Sequence, residues 1–114
     1  MCVAHSPKPL PTASMYIVMA LLGGELHGYA LMRRVGELNS GVQMVPATLY
    51  GTLNRLVAEG LIIETTDRGP RIEAQRRRYY ELTPNGRAMA LEELTRLQVL
   101  VRRVTSHLGD DATT

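Results

Sequence analysis

Apolar positions along this chain fall into blocks of different spacing, and the spacing predicts the elements. The first block carries Met15, Ile17, Val18, Met19, Leu21 and Leu22. It is apolar nearly all the way round a helix, with Thr12 or Ser14 as its cap and Gly23-Gly24 as its stop. Such a helix needs cover on two sides. The next segment, ELHGYALMRRVGELNSG, sets Leu31, Val35 and Leu38 on one face and charges elsewhere, so it reads as an amphipathic second helix ending at Asn39-Ser40-Gly41. Pro46 suits the first turn of a third helix, where Leu49, Leu53 and Leu56 repeat at helical spacing up to Glu59-Gly60. Leu61-Ile62-Ile63 and RRRYYEL read as strands on either side of the turn-rich loop TTDRGPRIEAQ, with Tyr80 and Leu82 facing the core by alternation.

The last block differs again. Thr83 can cap and Pro84 can begin a helix running to about Leu108 and ending at Gly109, in which Ala90, Leu94, Leu97, Val101, Val104 and Leu108 advance by fours and threes. That is a heptad seam, and a helix so long outruns the small core before it, so the seam asks for a partner. The chain therefore divides into an arm without assigned fold over 1–11, a helical and stranded domain over 12–82, a partner-seeking helix over 83–108 and a short disordered tail over 109–114.

The third helix raises a sharper question. Its outward face holds Ala47, Thr48, Gly51, Asn54, Arg55 and Ala58, with Tyr50 on the edge. A solvated face would more often carry long Lys and Glu side chains, and Gly51 weakens a helix interior by about 1 kcal/mol relative to alanine. A slim face with short hydrogen-bonding side chains suits close approach to the DNA major groove, although tight helix packing would also use it. The order of elements decides between them. Helix, helix, slim helix, strand, arginine-rich loop, strand is the order of a winged helix-turn-helix, whose third helix enters the major groove while the wing meets phosphate or the minor groove. The fold expected is mainly α with a small β-wing and a long C-terminal helix.

Composition narrows the function. With 114 residues, 45% hydrophobic, the chain holds one domain with a modest core, and its longest apolar run, Met15 to Leu22, is eight residues. A membrane-spanning helix needs about 20. Net charge is only +2, yet five arginines fall between Arg68 and Arg78, opposed only by Asp67 and Glu73. That local excess matters more than the total. The single cysteine, Cys2, makes no internal disulfide and fits a reducing cytosol. His5, His27 and His107 form no ligand set, His27 with Gly28 reads as a closely packed helix start, and Glu92-Glu93 reads as solvated surface. No nucleophile with a base, phosphate loop or paired carboxylates stands out, so neither an enzyme nor a cofactor is expected.

The segments LHGYALMRRV, PATLYGTLNRLVAEGLI and RRRYYELTPNGR resemble, in order and spacing, the three that mark the PadR family of bacterial transcriptional regulators, over about Met15 to Arg87. The resemblance implies a homodimeric winged-helix repressor, paired through its C-terminal helix and relieved by a small molecule, in several branches a phenolic acid or a drug-like compound. It also implies that Thr48 and Tyr50 lie on the recognition helix, and that Arg76, Arg77 and Arg78 form the basic base of the wing. The chain departs from the family where Gln75 replaces a common glycine after the longer RGPRIEAQ loop.

The resulting expectation is a cytosolic protein that binds double-stranded DNA through Thr48, Tyr50, Gly51, Asn54, Arg55, Arg76, Arg77 and Arg78. It would pair with a second copy through Leu94, Leu97, Val101, Val104 and Leu108, and would take an aromatic or drug-like effector beside Met15, Met19, Leu94 and Leu97. The alternative is a helical module that binds a partner protein through the seam and touches DNA without reading its sequence.

Overall fold

The computed structural model describes residues 10–66 and 78–112, with side chains as far as Gly109. Its elements are α1 (Thr12–Leu21), β1 (Leu26–His27), α2 (Gly28–Leu38), α3 (Pro46–Ala58), β2 (Ile62–Thr66), β3 (Arg78–Leu82) and α4 (Pro84–Ala112). The strands form one antiparallel sheet in the order β1-β3-β2, with Ile62 opposite Leu82, Thr66 opposite Arg78 and Leu26 opposite Tyr80. This is the mainly helical, winged architecture that the spacing predicts.

The core explains why α1 is apolar all round: it packs on α2, α3, α4 and β3 together. Ile17, Leu31, Val35, Leu49 and Leu53 are wholly buried, with Tyr80 and Ala90 closing the interior from the sheet and from α4. Leu38, expected beside Leu31 and Val35, lies at the last position of α2 and is exposed.

Four local expectations are corrected. Neither Thr12 nor Ser14 caps α1; Pro11 occupies the cap position without a side-chain bond, and Ser14 lies inside the helix and is buried. The start of the second segment is not helical, because Leu26 and His27 pair with Tyr80 and Tyr79 as a strand too short to leave a periodic signal. Leu10, placed in the arm without fold, packs against the core. Helix α4 does not stop at Gly109 but runs 29 residues to Ala112, roughly 43 Å at 1.5 Å per residue. Glycine ends a helix where the chain must turn left-handed, and no turn is required there.

The junction into α4 is closed by three hydrogen bonds. Thr83 Oγ1 accepts from the Gly86 N–H at 2.9 Å and donates to the Gly60 carbonyl at 2.7 Å, while the Thr83 N–H donates to the Leu61 carbonyl. The cap expected at Thr83 is therefore present. It brings the first turn of α4 so close to Leu61 that a Cβ on Gly86 would overlap the Leu61 carbonyl. Farther along, Glu93 is 4% exposed rather than solvated. Arg96 holds its carboxylate with two 2.8 Å bonds. That guanidinium, aided by the Leu10 backbone, keeps Glu93 below the ordinary glutamate pKa despite burial.

Candidate nucleic-acid interface

Helix α3 sorts its residues cleanly. Leu49, Leu53 and Leu56 point into the core and Thr52 is nearly buried beside them, whereas Ala47, Thr48, Gly51, Asn54 and Ala58 are exposed. A Cβ built on Gly51 would meet nothing within 4 Å. The slim face is thus not filled by another part of the described chain, and the tight-packing explanation of its small residues does not hold within it. Short donors and acceptors at Thr48 and Asn54 flank this open strip, as base-edge contacts in a groove require.

The two flanks of α3 are held differently. Tyr50 and Arg55 stand about 140° apart at 100° per residue, so they reach opposite neighbours. Tyr50 lies across the start of α2, where its hydroxyl would sit 2.7 Å from a Cβ on Gly28. The absence of a side chain at Gly28 lets the Tyr50 hydroxyl come this close. Tyr50 remains 43% exposed. On the other side, Arg55 Nη2 donates to Ser14 Oγ of α1 at 2.7 Å. Sequence reasoning missed Ser14 as a partner; its signal was a small polar residue in an otherwise apolar helix, since buried hydroxyls are nearly always bonded.

Strand β2 of the wing packs on α3. Arg78 begins β3, with its side chain 72% exposed and 4.0 Å from the Glu64 carboxylate. An exposed pair at that distance is weak and leaves the guanidinium available to another anion. Glu64 also bonds the hydroxyl of buried Tyr80, whose pKa is pushed up to about 12, by burial first and by Glu64 next. His27 caps α2 by accepting from the Ala30 N–H at 3.3 Å and meets Tyr79 edge to face, which ties the sheet to the start of α2. Arg76, Arg77 and the loop around them lie outside the described residues.

The seam of α4 splits. Leu94 and Leu97 are half-buried, whereas Val101, Val104 and Leu108 are exposed. A groove of about 590 Å³ runs along the helix, lined by Leu94, Leu97, Gln98, Val101 and Arg102. Two of the four residues expected to line an effector site thus come together. Met15 and Met19 are half-buried on α1 and do not line this groove. No helix among the described residues is long and apolar enough to cross a membrane, and no cluster of metal-binding side chains occurs among them.

Comparison with known proteins agrees with this architecture. The transcriptional regulator Rv3488 of Mycobacterium tuberculosis is 32% identical over 102 residues, covering 87% of this chain and 91% of that protein. An uncharacterized protein in a transposon of Streptomyces fradiae is 36% identical over 92 residues, which cover 81% of this chain but only 25% of the relative. The chain thus spans about a quarter of that relative's length. Bacillus subtilis PadR, solved in complex with operator DNA, superposes with a TM-score of 0.64 at 25% identity, over 76% of this chain and 48% of that one. Residues 17–93 match the transcriptional regulator PadR-like family, and the chain belongs to that family.

Proposed function

We propose that this protein is a DNA-binding transcriptional regulator: a homodimeric repressor that reads a palindromic operator and is released by a small-molecule effector. The observation that carries the reading is the open strip of α3, where Gly51 has empty space before it and Thr48 and Asn54 stand exposed on either side. The operator complex of the Bacillus subtilis relative supports it. Thr48, Tyr50 and Asn54 supply selectivity. Arg78, with Arg76 and Arg77 of the wing, supplies affinity by neutralising phosphates.

The dimer forms through Leu94, Leu97, Val101, Val104 and Leu108. Supporting this, Val101, Val104 and Leu108 of that seam are apolar and exposed. An effector of aromatic or drug-like shape would enter the groove at Leu94 and Leu97. It would act by preferring one spacing of the two DNA-binding heads.

The test is selection of duplexes from a random library by the purified protein, followed by anisotropy on the selected and scrambled DNA across a salt series. A palindromic consensus bound about a thousandfold above scrambled DNA is expected, with log K falling by roughly 0.9 per neutralised phosphate against log salt. Binding without any consensus sinks the repressor reading and leaves the α4 seam as a protein-docking face.

A further inference from the structure

The arginine on the flank of the recognition helix invites the reading of a phosphate contact, but its partner in the structure is internal. We infer that Arg55 is a positioning residue, which fixes the angle of α3 against α1 through Ser14 and thereby sets where the base-reading side chains fall. The inference rests on the DNA-binding reading of α3 given above.

Three observations carry it. Ser14 is 1% exposed, so its hydroxyl has left water and needs a bonded partner inside the protein. The Arg55 guanidinium provides one at 2.7 Å, across 41 residues of sequence. A short bond from a charged donor is stronger than a neutral one and holds the Nη2 end of the Arg55 side chain against α1. The contact also lies on the flank of α3 opposite Tyr50, which is seated on Gly28. The helix is therefore held at two lines along its length, and rotation about its own axis requires one of them to break.

Helix α1 is itself packed on α4. Ser14 and Arg55 thus form a polar joint in the path from the α4 seam to the recognition helix. Base contacts demand aligned donors and acceptors, whereas phosphate contacts tolerate displacement. Loosening the joint is therefore felt by specific binding and hardly at all by binding to random DNA.

The experiment compares wild type, Ser14→Ala, Arg55→Ala and the double variant on the selected duplex and on a random-sequence duplex across a salt series. Each single variant is expected to lower the ratio of specific to random binding about tenfold, the value of one weakened base contact. The double variant falls no further, and the slope of log K against log salt on random DNA stays as in wild type. The inference is overturned if Arg55→Ala weakens binding to both duplexes alike and flattens the slope by about 0.9, while Ser14→Ala matches wild type. Should selection yield no consensus, the DNA-reading assignment fails by itself. Hydrogen exchange of the α3 amides then decides the joint: equal, non-additive acceleration in the two single variants upholds it, and acceleration in neither removes it.

Discussion

Helix α4 begins inside the molecule and ends outside it. Between Pro84 and Glu93 it sends Gly86, Ala90 and Glu93 into the interior, whereas every residue from Leu100 to Leu108 is exposed. Yet the apolar spacing is the same in both halves, by fours and threes from Ala90 to Leu108. Periodicity marks which face of a helix must be covered; it does not say whether the cover comes from the same chain. In the first half the cover is α1 and the sheet. In the second, Val101 at 61% and Leu108 at 60% exposure have no cover from the described chain.

The sharpest way to break this contrast is to alter the second half alone. Val101→Ser combined with Val104→Ser removes four apolar side chains from each proposed dimer, worth up to about 5 kcal/mol of association by area. The dimer dissociation constant measured by analytical ultracentrifugation is expected to rise at least about a hundredfold. The stability of the dilute monomer should move by less than about 0.5 kcal/mol, as at other exposed sites. Unchanged dimer mass would remove the distal seam from the interface.

The opposite change touches the first half. Gly86→Ala drives a methyl group into the Leu61 carbonyl, which already accepts from the Thr83 N–H. Backbone cannot rotate aside as a side chain can, so a loss of about 3 kcal/mol in urea unfolding is expected. Glu93→Gln comes next, at about 2 kcal/mol for charge-assisted bonds lost in a buried site. Its pH dependence has a definite sign. Because the folded-state pKa of Glu93 is depressed, the advantage of wild type is fully present above the ordinary value of 4.5 and fades as pH falls through the lowered one. A stability gap between wild type and variant that stays constant down through that window would show that the carboxylate's charge is not what is being held.

These two sites also show where sequence reading reaches and where it stops. The faces of α3 were legible because Leu49, Leu53 and Leu56 repeat with the helix, and the Thr83-Pro84 start was legible because capping chemistry is local. Gly86 was not, since nothing in its neighbours states that the Leu61 backbone crosses in front of it. Glu93 reads as surface from sequence although Arg96 stands three residues on, a spacing at which helix side chains meet. The partner was visible, but the burial of Glu93 and its bond from the Leu10 backbone were not. Likewise Ser14 and Arg55 are 41 residues apart, and β1 exists only because Tyr79 and Tyr80 are there to pair with it. Local rules gave the elements and their inward faces; the polar contacts between elements depend on packing that no short window contains.

The smallest effect discriminates most finely between the two ends of α4, because it makes the same substitution at each. A Cβ at Gly86 has no room, whereas a Cβ at Gly109 would meet nothing within 4 Å. Unlike Gly24, Gly41 and Gly60, which have positive φ, Gly109 has an ordinary helical backbone as α4 continues to Ala112. Alanine there restricts the unfolded chain and suits the helix, so Gly109→Ala should stabilise the protein by about 0.5 to 1 kcal/mol. The sign is the informative part. If α4 instead ended at Gly109, as the sequence alone predicts, and the glycine there were a left-handed cap, alanine would be strained and stability would fall by a similar amount. Thermal unfolding of Gly109→Ala therefore decides whether the bare half of the helix is one continuous rod to Ala112, presenting its whole apolar length to whatever covers it.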